Sequence, residues 1–249
     1  FNISTAAALI AAGAGATIAK HGNRSVTSSS GSSQVLEALG VRLGVDDSVQ
    51  QACLTEARIC FCFAPAHHPA MKHAAPVRKQ LGFRTIFNLI GPLTNPAGAT
   101  RQVMGVYDPD LTEPIGRVLN ELGAEHAMIV HGDGLDEITT TGPTRITELR
   151  DGQLTTTTIR PEQLGLEPVS IDALHAENVD ESAQTIAGLL DGEPGPARDI
   201  AALNAGAALV VAGLAGDLAE GLQKAQGAID AGAGRAALDA LVRWTNQKS

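Results

Sequence analysis

Apolar and polar positions change rhythm several times along the chain, and each change marks an element. Thr5–Ala12 is apolar almost throughout, with Ser4 placed to cap it and Gly13 and Gly15 placed to end it. That pattern predicts a buried helix. Ala16–Ala19 reads as a short buried strand leading into Lys20-His21-Gly22-Asn23-Arg24. The small, polar stretch Ser25–Ser33 then opens into a helix over Gln34–Leu39, and residues 48–57 fit a helical period. Ile59–Ala64 is a continuous apolar run, the mark of a parallel strand covered on both faces. Met71–Leu81 fits a helix.

The second half alternates in the same way. Val103–Tyr107 reads as a strand, Thr112–Leu122 as a helix stopped by Gly123, and His126–Val130 as another strand followed by a loop over Gly132–Glu137. Ile146–Leu149 and Leu154–Ile159 can pair as a hairpin around Asp151-Gly152. From about residue 181 the chain is helical and rich in Ala and Gly, with Asp191–Pro196 as an inter-helix loop. Strands alternating with helices predict one α/β domain over residues 1–249, with a mainly parallel central sheet flanked by helices.

Composition narrows the class. Hydrophobic residues make up 44% and charged residues 18% of the 249, which excludes a disordered chain. No apolar run is long enough for a membrane span. Cys53, Cys60 and Cys62 are too few and too clustered for a disulfide framework and fit a reducing, cytoplasmic setting; Cys60 and Cys62, alternating with Phe61 and Phe63, fit a buried strand rather than a redox pair. The start, Phe1-Asn2-Ile3-Ser4-Thr5, lacks Met and the basic region of a secretory signal and reads as a cut end.

Charge is uneven. The net charge of −9 argues against a nucleic-acid partner. Residues 1–100 carry eight Lys and Arg against four Asp and Glu, while residues 101–249 carry ten against 23. A basic, His-rich part facing an acidic part suits an anionic ligand bridged by a divalent cation, although solvated surfaces can also divide charge this way.

In open α/β sheets ligands sit at the carboxyl ends of strands, and the polar clusters fall there. They are Lys20–Arg24, His67-His68-Pro69, and the group Asp133, Asp136 and Glu137. The Ser25–Ser33 loop holds six serines, one threonine and one glycine before a helix, a composition that can hold phosphate or can be an ordinary loop. Asp136 and Glu137 suit Mg²⁺, or else form a solvated acidic turn; being adjacent, they do not suit the separated acids of a glycosidase. Arg78, Lys79 and Arg84 around Gly82 could clamp a carboxylate or line a surface helix. His21, His67, His68 and His73 lack a zinc-ligand spacing.

These residues carry a resemblance. Lys20-His21-Gly22-Asn23-Arg24 resembles the K-H-G-N-R signature of anthranilate phosphoribosyltransferases. The match continues through Gly31-Ser32, Leu36–Gly40, His68–Lys72, Val77–Asn88, Gly91–Pro96 and His131–Glu137, and reaches Asn204–Ala208. Pyrimidine nucleoside phosphorylases share the fold but lack the Arg78–Pro96 block. The resemblance implies transfer of a 5-phosphoribosyl group from phosphoribosyl diphosphate to the amine of anthranilate, with diphosphate leaving with Mg²⁺ help, in tryptophan biosynthesis.

The same resemblance implies roles. Asn2, Ser4, Thr5, Lys20, Asn23 and Ser32 would bind phosphoribosyl diphosphate. Arg78 would hold the anthranilate carboxylate, with Asn23, His21, His68 and Pro92 lining that pocket. Ser4 would help ligate one Mg²⁺, and Asp136 and Glu137 would bind a second. The family's G-T-G-G-D loop and most of its small N-terminal helical domain would lie upstream of Phe1, and the full-length enzyme would be a cytoplasmic homodimer. Where relatives carry an acidic residue two places after Ser32, this chain has Gln34. Two other readings predict different behaviour: a non-catalytic relative that binds ligand or nucleic acid, and a nucleoside phosphorylase that releases a base with phosphate.

Overall fold

Asn2, not Ser4, caps the first helix. Helix α1 spans Ile3–Gly13, and the Asn2 side-chain oxygen accepts from the Thr5 N–H at 3.1 Å. Ser4 therefore lies inside the first turn with its hydroxyl available to a neighbour. Gly15, at φ +104°, and Ala16 close the helix, with the Ala16 N–H donating to Ala11 O. That exit consumes Ala16, so strand β1 runs over Ile18–Gly22, two residues later than predicted. Lys20 and His21 thus lie in the end of the strand rather than after it.

The computed structural model describes residues 1–23, 31–68, 73, 80 and 85–247. The helix predicted over Met71–Leu81 falls outside them apart from His73 and Gln80, as does most of the serine loop. Helix α2 (Ser32–Ala38) and helix α3 (Asp47–Ala52), which widens into a π turn over Cys53–Ala57, lead to β2 (Ile59–Phe63). β2 pairs with β1 in parallel, Lys20 opposite Phe61 and His21 opposite Cys62. Two short helices follow, α4 (Ala64–His67) and α5 (Phe87–Leu93).

A second sheet has the order β3-β4-β5-β6, built from Arg101–Gly105, His126–Gly132, Thr144–Arg150 and Gln153–Ile159. Helix α6 (Thr112–Glu121) connects β3 to β4, which pair in parallel. The β4–β5 and β5–β6 pairings are antiparallel. The predicted hairpin forms around Asp151 and Gly152, at φ 51° and 75°, the mirror-image turn that suits strand twist. The α/β class with flanking helices stands. Among the described residues the parallel pairing expected for most of the sheet holds for the two helix-connected pairs, and the expected hairpin brings two antiparallel pairings.

Burial explains the pattern. β4 is covered on both faces: Ala127 and Ile129 pack with Ile115 and Leu119 of α6, whereas Met128 and Val130 join the main core. β6 is an edge strand, and its Thr155–Thr158 run faces solvent. Helices α7 (Val179–Leu190), α8 (Pro196–Val211), α9 (Leu218–Asp230) and α10 (Ala233–Thr245) complete the chain. α1 packs against α8 and α10, which explains why Ala6–Ala12 can be apolar all round. Among the described residues no helix is long and apolar enough to cross a membrane.

Candidate active site

Four elements converge: the amino end of α1, the carboxyl end of β1, the start of α2 and the loop after β4. Asn2 ties the first and third together. Its Oδ1 accepts from the Ser32 hydroxyl at 3.4 Å as well as from Thr5, and its own N–H donates to Ser182 Oγ at 2.9 Å. Lys20 Nζ reaches from β1 to donate to Ser4 Oγ at 3.0 Å. The Ser4 N–H hydrogen-bonds the Glu137 carboxyl, which brings in the loop. Asn2, Ser4, Lys20, Ser32 and Glu137, far apart in sequence, are therefore one network. Thr5 is beside it but faces the core: it is fully buried, and its hydroxyl has no partner among the described residues.

The loop is held against two strand glycines. Asp133 and Gly134 form a tight turn at φ 48° and 86°, closed by reciprocal backbone bonds between Gly132 and Leu135 at 2.9 and 2.8 Å. Asp133 is spent on fastening the turn, accepting from Thr141 Oγ1 at 3.0 Å. A Cβ on Gly105 would lie 1.7 Å from Asp136 O, and one on Gly132 would lie 2.6 Å from Glu137 O. Any side chain at either place would push the carboxylates out of position.

Electrostatics mark the same point. Burial, and then the neighbouring Asp136 charge, push the Glu137 carboxyl up to about 8, against the pull of Lys20 and the Ser4 N–H. Burial pulls the Lys20 ammonium down to about 8, partly offset by Glu137. Two adjacent carboxylates and a hydroxyl, short of positive charge and made only of hard oxygen donors, fit a divalent cation such as Mg²⁺ that takes its remaining ligands from water and phosphate. Among the described residues no three His, Cys, Asp or Glu side chains cluster as a self-sufficient metal site.

The predicted acceptor pocket is partly described. His21 and His68 Nε2 atoms lie 3.2 Å apart, with the rings edge to face at 5.0 Å between centroids. Burial and then the two neighbouring histidines, His68 and His67, lower the His21 pKa, while the Gly91 carbonyl raises it. Pro92 follows Gly91, and its carbonyl accepts from Gln102 Nε2 at 2.8 Å. Asn23 is exposed at the end of β1. Arg78 lies outside the described residues, as do Arg24, Lys79 and Arg84. A cavity of about 690 Å³, lined by Arg101, Glu125, His126 and Arg150, opens at the opposite end of β3 and β4, away from all of these groups. The three cysteines are free and buried, as predicted for Cys60 and Cys62, whose Sγ atoms lie 3.8 Å apart on one face of β2.

The glycosyl transferase family a/b domain matches residues 1–235. The anthranilate phosphoribosyltransferase of Methylobacillus flagellatus is 53% identical over 94% of this chain and 69% of its own length. That of Methylorubrum populi is 53% identical over 99% and 73%. The chain belongs to the anthranilate phosphoribosyltransferase family. Among solved structures, the Thermus thermophilus enzyme superposes with a TM-score of 0.93 at 41% identity, over 99% of this chain and 74% of that one. The Saccharomyces cerevisiae enzyme in complex with PRPP and Mg does so with 0.89 at 27%, over 98% and 69%.

Several residues in this family member do work that the motifs did not announce. Gln34 accepts from the Gly31 N–H at 3.3 Å and so caps the start of α2. Asn95 Nδ2 donates to Ala19 O at 3.0 Å, tying the Gly91–Pro96 block to β1. Asn204, quoted above only as part of the matching stretch, holds the residue after Glu137. An asparagine amid the alanines of a buried helix is a signal in itself, because Asn is a poor helix former and its carboxamide needs partners.

Proposed function

We propose that this site transfers the 5-phosphoribosyl group of phosphoribosyl diphosphate to the amine of anthranilate and releases diphosphate. The observation that carries the reading is the Asn2–Ser4–Lys20–Ser32–Glu137 network, which gathers polar groups for an anionic, metal-bound leaving group. In the reaction the bond between the anomeric carbon and the diphosphate oxygen breaks, a bond from the anthranilate nitrogen forms at that carbon, and the amine gives up a proton. Such a step asks mainly for neutralised leaving-group charge and a positioned amine.

Lys20, Asn2, Ser4 and Ser32 would hold the phosphoribosyl diphosphate, with Asn23 at the ribosyl side and Thr5 supporting Asn2 through its backbone. Asp136 and Glu137 would hold one of two Mg²⁺ ions and Ser4 would contribute to the other. Bound Mg²⁺ supplies charge neutralisation at the leaving diphosphate. Arg78 would take the anthranilate carboxylate, with His21, His68 and Pro92 around the ring. On the same reading the full-length enzyme is a cytoplasmic homodimer.

Anthranilate fluorescence is the direct test. We expect it to be lost only when protein, phosphoribosyl diphosphate and Mg²⁺ are all present. Phosphate-dependent release of a base from a pyrimidine nucleoside, with anthranilate untouched by the full-length protein, would overturn the assignment.

A further inference from the structure

We propose that Asn204 is a positioning residue that sets the Asp136-Glu137 carboxylates for the metal; this rests on the function proposed above. Asn204 lies in the interior of α8 and is 3% exposed. Burying a carboxamide there is unfavourable unless its donors and acceptor are used. They are: Oδ1 accepts from the Ile138 N–H at 2.9 Å, and Nδ2 donates to Ile138 O at 2.7 Å and to Ile200 O at 2.8 Å. Two of these bonds grip the N–H and C=O of one residue, as a neighbouring strand would.

That residue follows Glu137 directly. The peptide unit joining Glu137 to Ile138 is therefore held at its N–H by Asn204, while its C=O lies so close to Gly132 that a Cβ there would come within 2.6 Å. One peptide earlier, Asp136 O rests against Gly105. Glu137 thus precedes a peptide that cannot turn without breaking a buried bond, and Asp136 sits on backbone seated against a strand glycine. The arrangement also links the two sides of the site. α8 packs on α1, and α1 presents the Ser4 N–H to Glu137. All three hydrogen bonds of Asn204 go to backbone and none to the carboxyl groups, so its effect passes through the loop backbone.

Mn²⁺ binding followed by electron paramagnetic resonance, with phosphoribosyl diphosphate present, reads this without turnover. Asn204→Asp keeps the size and the acceptor but removes both donated bonds. We expect it to weaken Mn²⁺ binding by about 10- to 100-fold, the usual effect of losing an outer partner of a metal ligand, and to leave the anthranilate KM unchanged. Leu209→Ala, a buried change elsewhere on α8, controls for stability alone: it should lower Tm and leave Mn²⁺ affinity as it was. Equal Mn²⁺ affinity in Asn204→Asp and the parent, or equal weakening in Leu209→Ala, would reduce Asn204 to a packing residue and overturn the inference. A parent protein that binds no Mn²⁺ in an Asp136-dependent way would instead overturn the functional reading beneath it.

Discussion

The two halves of the site are made of different material. The half proposed to hold the diphosphate is built on the core: α1 is buried along nearly its whole length, and Lys20, Ser32 and Glu137 reach its first turn through hydrogen bonds or charge. The acceptor half draws on α4 and α5, helices of four and seven residues without a single buried side chain. Among the described residues it is joined to the rest by side-chain bonds such as Asn95 to Ala19 O and Gln102 to Pro92 O. The difference suits the chemistry proposed for each half. Stabilising charge that develops at a leaving group works only if dipoles and metal ligands are already in place. Recognising a flat aromatic acid tolerates adjustment, because ordering a few side chains on binding takes away only a little affinity.

The largest effect should therefore come from the rigid half. We expect Asp136→Ala to lower kcat by about 10²- to 10³-fold and to displace the Mg²⁺ titration curve, while the anthranilate KM moves by less than about threefold. Steady-state kinetics with each ligand varied in turn would check this. A KM for anthranilate that rose in proportion would break the separation of the halves, and an unchanged Mg²⁺ curve would make the loop an ordinary acidic turn.

Most of this arrangement was legible in the sequence, and the remainder was not, for physical reasons. Ile59–Phe63 and His126–Gly132 were visible because strands covered on both faces leave an unbroken apolar run. The Asp151-Gly152 hairpin was visible because its turn needs positive φ twice. Asp136-Glu137 and Lys20 could be named from chemistry. What brings them together could not. The carboxylate loop seats on Gly105 because that strand position has no side chain, and no local pattern says which loop will lie there. The cap was misassigned to Ser4 because Asn2 and Ser4 are both good capping residues and only three-dimensional geometry chooses between them. The split of the described strands into two sheets was hidden because local alternation does not reveal which strands become neighbours.

A smaller effect should come from the peripheral half. His68 meets His21 through one ring contact at 3.2 Å. Removing a neutral hydrogen-bond partner there is worth about 0.5–1.5 kcal/mol, so His68→Ala should raise the anthranilate KM by about 2- to 12-fold. Its Mg²⁺ dependence and kcat should stay near those of the parent. A fall in kcat as large as that of Asp136→Ala would mean that the histidines belong to the reacting centre and that the acceptor half is as preorganised as the other.

The smallest effect is one of stability, and it sharpens the comparison by isolating the buried charges. Folding raises Glu137 from 4.5 to about 8, so the folded protein holds that proton more tightly than the unfolded chain. Its contribution is present at low pH and is lost as pH rises through this window. Folding lowers Lys20 from 10.5 to about 8, so there the unfolded chain holds the proton more tightly and stability recovers above that value. Together they predict a shallow minimum in Tm near pH 8 for the metal-free protein. The descent toward it should amount to about 2–8 °C, once solvent screening at a half-buried site is allowed for. Glu137→Gln should flatten the descent. Mg²⁺ with phosphoribosyl diphosphate should do the same by replacing the proton with a better-placed positive charge. Scanning calorimetry across pH would show it. A slope that survived Glu137→Gln would place the titrating group outside this network, and the rigid half would then owe nothing to the electrostatic tension between Lys20 and the loop.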